Sequence, residues 1–243
     1  MRDRHFLTAE WLNVAAVTFA AEEEQLRPYL PRGATIDTLE GSPRVSLVAF
    51  EFRRTRVRGL AIPRHVAFPE INLRFYVRYD GERGVVFIRE LVPRWAVATV
   101  ARLLYNEPYQ RVPMRCSAEP APDGGIVVRH RFGAGSSLTV RGAADAVVPP
   151  AGSAAHWLTD HSLGLGRRRD GATRRYHVAH PTWALREVTD LGLAVDFGAV
   201  YGRQWTWLND APPSHLSLAV GSPITVSRPL PPRSGRRRGS PRR

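Results

Sequence analysis

Apolar and polar residues alternate along much of the first half of the chain, which is the pattern of half-buried β-strands. The clearest case is Ile71–Tyr79, which is followed by Asp80-Gly81 and by a second apolar run from Gly84 to Val92. Asp-Gly supplies the two positive-φ positions of a type I′ turn. The two runs therefore predict a β-hairpin with a two-residue turn.

The length of this turn decides which residues of the hairpin oppose each other. With a two-residue turn, Arg74 faces Phe87, and the same register places Asn72 opposite Arg89. A four-residue loop would instead place Arg74 opposite Arg89, and two like charges in register destabilise a strand pair. We therefore expect the first register.

The remaining patterns predict more strands and three short helices. The predicted helices cover 22–29, 94–105 and 154–163, and the second has apolar residues at three- and four-residue spacing. Predicted strands outside the hairpin cover 14–19, 44–53, 112–118, 125–132, 137–141, 174–178, 183–189 and 216–227. Many strands without regular strand–helix alternation favour a β-rich α+β barrel or sandwich.

The basic charge of this chain comes from arginine alone. The 243 residues include 35 basic and 22 acidic side chains, a net charge of +13, and none of the basic residues is lysine. Without a side-chain amine there is no lysine Schiff base, no lysine-bound pyridoxal phosphate and no P-loop lysine. Several classes of enzyme are thereby excluded.

The C-terminal segment differs in composition from the rest. Residues 228–243 read RPLPPRSGRRRGSPRR, with seven arginines and no acid. A segment so rich in proline, glycine and serine buries little apolar surface. We expect residues 1–227 to form a single domain and residues 228–243 to be a disordered tail. The tail is typical of a solubilising terminus, and weak nucleic-acid binding through its arginines is the alternative.

Neither a disulfide nor a membrane span is indicated. Cys116 is the only cysteine, which excludes an intramolecular disulfide and fits a reducing compartment. No apolar run approaches the roughly 18 residues of a membrane-spanning helix. We therefore expect a cytoplasmic protein without a membrane partner, and the sequence leaves its oligomeric state open.

One face of the first hairpin strand is polar along its whole length. It carries Glu70, Asn72, Arg74, Tyr76 and Arg78, which alternate with apolar residues. A solvent-exposed face is the ordinary interpretation of such alternation. A carboxylate, an amide, a guanidinium and a phenol in line are instead typical of the inside of a ligand-holding barrel.

In the expected register Arg89 extends this polar group from the neighbouring strand. An arginine there would bind a carboxylate substrate through two hydrogen bonds and would keep Glu70 ionised. Alternatively, Glu70 in an apolar pocket would be a general acid. Both roles for Glu70 stay open at this point.

The histidines do not indicate a metal site. His177 and His180 have the spacing of a helical metal pair, but the flanking residues predict a strand and a turn. On a strand, an offset of three residues directs the two rings to opposite faces. The chain also lacks a Gly-x-Ser-x-Gly nucleophile motif. We expect no metal and no cofactor.

Several segments, in order from about residue 6 to residue 227, resemble one known family. They are Phe6–Leu12, Leu26–Gly33, Val45–Phe50, Pro69–Val77, Gly84–Leu91, Tyr105–Tyr109 and His180–Trp183. They are similar to the YqjF-like bacterial proteins grouped as domain of unknown function 2071. That family is related in fold to acetoacetate decarboxylase, which implies a closed, cone-shaped antiparallel β-barrel around a ligand cavity.

The resemblance also implies where site residues lie. The Schiff-base lysine of acetoacetate decarboxylase falls on Tyr109, or on Gln110 if the alignment shifts by one, and neither forms an imine. The decarboxylase mechanism therefore does not transfer to this chain. Glu70 lies on the strand that carries the acidic site residues of that enzyme, and Glu107 lies in the Tyr-Asn-Glu-Pro-Tyr step.

These observations lead to one main hypothesis. A barrel binds a small anionic or carbonyl-bearing molecule and performs acid/base chemistry without lysine, such as enolisation, hydration or lyase chemistry. The predicted catalytic residues are Glu70 and Tyr109, and the predicted ligand-binding residues are Asn72, Arg74, Tyr76, Arg89 and Glu107. The alternatives are a non-catalytic ligand-binding or sensory module and a nucleic-acid binder that acts through the tail.

The absence of lysine predicts the result of a trapping experiment. Borohydride reduction in the presence of acetoacetate should leave no adduct on any side chain, because only the α-amino group of Met1 can form an imine. Peptide mass spectrometry checks this expectation. An adduct on any other residue would contradict it.

Overall fold

The computed structural model describes residues 5–94, 108–167 and 171–230. Within them the strands are β1 His5–Ala20, β2 Thr35–Ile36, β3 Thr38–Leu39, β4 Ser42–Val57, β5 Phe68–Tyr79, β6 Glu82–Val92, β7 Tyr109–Arg111, β8 Met114–Pro120, β9 Ile126–Phe132, β10 Ser136–Val147, β11 Leu163–Arg167, β12 Thr173–Ala179, β13 Leu185–Ala194 and β14 His215–Ser227. The α-helices are α1 Glu23–Leu26, α2 Ala154–Thr159 and α3 Phe197–Tyr201, and 3-10 segments cover Arg27–Tyr29 and Arg203–Asn209.

Seven of the strands close into a ring. They follow the order β1-β4-β5-β6-β11-β12-β14, and β14 pairs back to β1. Strands β13, β10, β9 and β8 extend the sheet from β14 as an arm. The pairings of the ring and arm are antiparallel, except that β6 pairs in parallel with β11 and with β7. The predicted fold class, a closed β-rich barrel with a few short helices, is confirmed.

The main core lies on the outer face of the ring. Ile71, Leu73 and Phe75 of β5 are fully buried there, in a cluster that includes Leu138 of the arm and Trp205 of the second 3-10 segment. Successive side chains of a strand point to opposite faces. The polar residues of β5 that alternate with this core therefore face the interior of the ring.

The hairpin forms as predicted at its turn. Asp80 and Gly81 both have positive φ, and Tyr79 pairs with Glu82 across them. This agrees with a two-residue type I′ turn, which matches the right-handed twist of the two strands.

The predicted register holds only for the half of the hairpin near the turn. Arg74 pairs with Phe87 as expected, but β6 then contains one extra residue, so that Asn72 pairs with Glu90. The predicted pairing of Asn72 with Arg89 is therefore wrong. Because side chains alternate between faces, the extra residue directs Glu90 into the ring and Arg89 away from it.

Several elements were not predicted: β2, β3, β7, β11, α3 and the second 3-10 segment. Strand β11 contains Gly164, and a Cβ atom at this glycine would lie 2.3 Å from the Tyr176 ring. A glycine-rich segment has low strand propensity, and here it is a strand because its neighbours pack directly on its backbone. The segment from α3 to Asn209 is also helical, and α3 begins where the Asp196 side chain accepts from the Ala199 N–H at 2.9 Å. The helix predicted over 154–163 ends early, at Thr159.

Some predicted features lie outside the described residues. They are the helix over 94–105 beyond Arg94, the predicted ligand-binding residue Glu107, and the tail from residue 231 onward. The first three tail residues are described, and the Leu230 N–H donates to the Arg175 carbonyl at 2.8 Å. In the described ranges, no helix has the length and the apolar character that crossing a membrane requires.

Substitution of Gly221 in β14 tests how the ring closes, because this residue lies where β14 pairs with β1. Gly221 has a φ of +96°, and a Cβ atom there would lie 1.9 Å from the Trp11 carbonyl oxygen of β1. We expect Gly221→Ala to lower the free energy of unfolding by about 2 kcal/mol or more, because it combines backbone strain with a steric clash across the closing strand pair.

Gly192→Ala in β13 is the matched control. The nearest atom to its added Cβ would be the Thr139 Cβ at 3.5 Å, which is an ordinary contact. This variant should stay within about 0.5 kcal/mol of wild type in urea unfolding. Equal losses in both variants would argue against the clash at the closure.

Candidate functional site

A cavity of about 210 Å³ lies inside the ring. Most of its wall is aromatic or aliphatic and includes Trp11, Phe50, Phe52, Phe68, Phe87, Val178 and Val226. The polar lining residues include Glu70, Asn72, Arg74, Glu90 and Tyr109. An apolar pocket with a few polar groups is typical of a small-molecule site, and this one is below the usual range of about 300–1,000 Å³. A ligand enclosed there would have few heavy atoms.

Three adjacent strands bring the acidic part of this polar group together. Glu70 and Asn72 lie on β5, Asn72 pairs with Glu90 on β6, and Glu90 pairs with Tyr109 on β7. Glu70 is 3% exposed and Glu90 2%. Two carboxyl groups and a phenol are thus held on neighbouring strands at one side of the cavity.

Glu70 has the electrostatics of an acid/base residue. Asn72 Nδ2 donates to Glu70 Oε1 at 3.3 Å, and the Tyr109 hydroxyl donates to Oε2 at 3.1 Å. Burial raises the pKa of Glu70 to about 7, against the lowering effect of these two hydrogen bonds and of the charge on Arg74. A carboxyl group with this pKa can accept or donate a proton near neutral pH.

Tyr109 contacts both carboxyl groups. Its hydroxyl donates to Glu70 Oε2 at 3.1 Å, and Glu90 also acts on the phenol. Burial and the charges of Glu70 and Glu90 raise the pKa of Tyr109 well above its ordinary value. The phenol itself therefore stays neutral.

Arg74 is the cation of the cavity wall. It is half-buried, and its Nε is buried without a hydrogen-bond partner in the part of the chain that the structure describes. Across the described part of the chain, none of the ion pairs involves Arg74. Its charge nevertheless acts on Glu70. The cavity thus contains a guanidinium whose hydrogen-bonding capacity is not used within the described residues.

Two predicted ligand-binding residues lie elsewhere. The Tyr76 hydroxyl hydrogen-bonds with Ser46 Oγ at 2.7 Å, outside the cavity lining. Arg89 donates to the Val200 carbonyl of α3 on the outer face of the ring. The predicted contribution of Arg89 to the polar group is wrong, because the extra residue in β6 reverses its direction. Sequence reasoning missed Glu90 for the same reason, since alternation carries no signal for a bulge.

Two other kinds of site, a metal site and an activated thiol, depend on the His, Cys, Asp and Glu side chains of the described residues. In residues 5–94, 108–167 and 171–230, no group of three or more His, Cys, Asp or Glu residues could hold a metal ion. Burial and the neighbouring Glu51 raise the pKa of Cys116 to about 12. A thiol with this pKa forms almost no thiolate at neutral pH, so Cys116 is not an activated nucleophile.

Comparisons with known sequences place the chain beside one family. Residues 8–223 match the model of domain of unknown function 2071, described as an uncharacterized conserved protein. The chain is 32% identical over 100 residues to the uncharacterized protein YqjF of Bacillus subtilis. That alignment spans 41% of this chain and 41% of YqjF, so it covers about two fifths of each protein.

Three solved structures with a similar fold are enzymes. The enduracididine biosynthesis enzyme MppR complexed with pyruvate has a TM-score of 0.61 at 12% identity, over 91% of this chain and 88% of MppR. Acetoacetate decarboxylase from Legionella pneumophila has a TM-score of 0.61 at 12% identity, over 93% and 88%. An acetoacetate decarboxylase-like enzyme from Sphingomonas wittichii has a TM-score of 0.59 at 14% identity, over 95% and 94%. At these identities the likeness shows a common fold.

The raised pKa of Glu70 predicts a pH dependence of stability. Between the ordinary value of 4.5 and about 7, the folded protein keeps a proton that the unfolded chain has lost. The stabilisation from this proton is complete below pH 4.5 and is lost as the pH rises through 7, by about 3 kcal/mol at most.

Glu70→Gln removes this titration. Relative to the variant, wild type should therefore lose stability from about pH 4.5 to about pH 7, and urea unfolding of both proteins across this range measures the difference. Parallel stability curves would mean that the carboxyl group is not desolvated in the folded protein.

Proposed function

Because the chain belongs to the family of domain of unknown function 2071 and has the acetoacetate decarboxylase-like fold, we propose that it binds a small carboxylate or carbonyl compound inside the ring and acts on it by acid/base chemistry without lysine. One observation carries this proposal: Arg74, which has no ion-pair partner among the described residues, acts electrostatically on a buried Glu70 whose pKa is about 7. The guanidinium of Arg74 is suited to binding an anion, and the carboxyl group of Glu70 is suited to proton transfer at neutral pH.

Arg74 is the proposed anion-binding residue. A guanidinium binds a carboxylate through two parallel hydrogen bonds, and such bonds are strong where water is largely excluded. The apolar wall around Trp11, Phe50 and Phe87 limits water at this point. A carboxylate bound to Arg74 would also supply a counter-ion, so binding would offset part of the electrostatic cost of burying this guanidinium.

Glu70 is the proposed base and acid. As a carboxylate it would remove a proton from the carbon next to the ligand carbonyl, and as a carboxylic acid it would return a proton to that carbon or to a leaving group. Once Glu70 holds the proton, it no longer needs the hydrogen bond from Tyr109. The neutral phenol would then donate to the enolate oxygen of the ligand, where negative charge develops.

Asn72 completes the proposed group. Its Nδ2 donates to Glu70 and orients the carboxyl group, while its Oδ1 is buried without a hydrogen-bond partner among the described residues. This oxygen would accept from a hydroxyl group of the ligand or from an enol. The pyruvate bound by MppR, a 2-oxo monocarboxylate, has the size and the two functional groups that this arrangement would accommodate.

A non-catalytic ligand-binding module is the second candidate. The small, mainly apolar cavity favours it equally, because ligand retention needs only the wall and Arg74. A measurement of proton transfer separates the two candidates. A cytoplasmic location and nucleic-acid binding through residues 228–243 stay predictions.

Hydrogen–deuterium exchange at the methyl group of pyruvate tests this proposal. In D₂O near neutral pH, wild type should accelerate the loss of the methyl proton signal in NMR spectra. Glu70→Gln should lower this rate by about 100-fold, because general base catalysis typically contributes about 10²–10⁴-fold. Arg74→Gln should weaken pyruvate binding about tenfold or more, because it removes a charge-assisted pair.

Arg78→Gln is the matched control. Arg78 lies on the same strand as Arg74, but it is exposed and pairs with Asp37 at 2.9 Å. This variant should exchange and bind like wild type. Pyruvate binding without exchange would favour the non-catalytic module, and exchange that survives Glu70→Gln would overturn the proposed role of Glu70.

A further inference from the structure

A recess of about 30 Å³ adjoins the cavity. The two spaces share the lining residues Trp11, Arg74, Phe87, Tyr176 and Val178. The rest of the recess wall includes Thr159, His161, Leu163 and His180. A volume of this size holds about two water-sized groups, which is the size of the two oxygens of a carboxylate. The recess is therefore a side pocket of the cavity with room for a small polar group.

The hydrogen bonds around His161 determine which of its ring nitrogens carries the proton. His161 is 8% exposed, and its Nε2 lies 3.3 Å from a guanidinium nitrogen of Arg83. A guanidinium can only donate, so Nε2 accepts and Nδ1 carries the proton. The Nδ1 atom is buried and has no hydrogen-bond partner among the described residues. A buried N–H without an acceptor costs free energy, which a ligand oxygen would offset.

Arg83 is itself held in place from three sides. Its Nε donates to the buried Asp37 carboxylate at 2.9 Å, and an Nη donates to the Trp157 carbonyl at 3.0 Å. Its guanidinium also lies 4.5 Å from the centre of the Trp157 ring. Arg83 is therefore a positioning residue that holds Nε2 of His161 as the acceptor and Nδ1 as the protonated nitrogen.

Arg74 supplies a second donor on the same recess. Its Nε is buried and unpartnered within the described chain, as is His161 Nδ1. Burial and the charges of Arg74 and Arg83 lower the pKa of His161 well below its ordinary value, so the ring is neutral. A neutral N–H and a guanidinium that line a space for about two water-sized groups form a binding site for an anion with two oxygen atoms, such as a carboxylate.

We propose that His161 Nδ1–H and Arg74 together bind the carboxylate of the ligand in this recess, so that the remainder of the ligand extends towards Glu70. His161, in the loop between α2 and β11, is then a specificity-determining residue for short monocarboxylates. A phosphate or a sulfonate has more oxygens than a space of about two water-sized groups accommodates, and we expect it to bind more weakly. This inference rests on the proposed function for the role of Arg74 and adds His161 to it.

Acetate is the simplest probe, because it is little more than the carboxylate itself. Long-range ¹H–¹⁵N NMR spectra of the histidine rings should show His161 protonated at Nδ1 in the free protein. Acetate should shift this signal, whereas acetamide, which has the same shape without charge, and inorganic phosphate should not. Arg83→Met removes the donor to Nε2 and should let the Nε2-protonated form appear.

Binding constants of variants give a second test. The affinity for acetate should fall about tenfold or more in His161→Phe, which keeps an aromatic ring against Tyr76 and loses the donor. His161→Gln restores an N–H donor and should stay within about threefold of wild type. His156→Gln, on the adjacent helix but outside the recess lining, is the control and should bind like wild type.

The outcomes separate this inference from the proposed function. Loss of acetate binding in Arg74→Gln with full binding in His161→Phe would overturn the role of His161 and leave Arg74 as the anion-binding residue. Full binding in both variants would overturn both proposals. If His161→Phe does not fold, the wild-type ring signal decides: protonation at Nε2, or no shift with acetate, overturns the inference.

Discussion

Strands β1 and β14 pair with each other from the His5–Ser227 pair to the Thr18–His215 pair, and this pairing closes the sheet into a ring. Closure gives β5 an inner face from which water is largely excluded. Without it, the polar side of β5 would be an ordinary solvated strand face, and the carboxyl group of Glu70 would keep its full hydration. The raised pKa of Glu70, about 7, therefore depends on this one strand pairing. The position of Arg74 in the cavity wall depends on it as well.

The charge of the enclosed space depends on a single extra residue in β6. In a regular hairpin Arg89 would oppose Asn72, and the cavity would contain two guanidinium groups and one carboxyl group. The bulge replaces Arg89 with Glu90, so two carboxyl groups and one phenol line the cavity together with the guanidinium of Arg74. Burial raises the pKa of Glu70 to about 7, which favours proton transfer over a fixed negative charge.

Arg74 acts electrostatically on two polar networks. One is the group of Glu70, Tyr109 and Glu90, and the other runs from Asp37 through Arg83 to His161. The first suits a carbon that gains or loses a proton, and the second suits a carboxylate. A short molecule with a carboxylate at one end and a reactive carbonyl beside it would contact both networks at once. The proposed substrate class follows from this arrangement.

The sequence by itself determined the β-rich character of the fold, the hairpin with its Asp80-Gly81 turn, the polar side of β5 and the exclusion of lysine chemistry. These features depend on local pattern and composition, which a single chain displays directly. Only the tertiary structure decided that Glu90 and not Arg89 faces the cavity, because an inserted strand residue leaves no trace in the alternation. It also decided that Gly164 lies in a strand beneath Tyr176 and that His161 lies beside Arg74. Both depend on contacts between segments far apart in the chain, and no local preference of either segment encodes them.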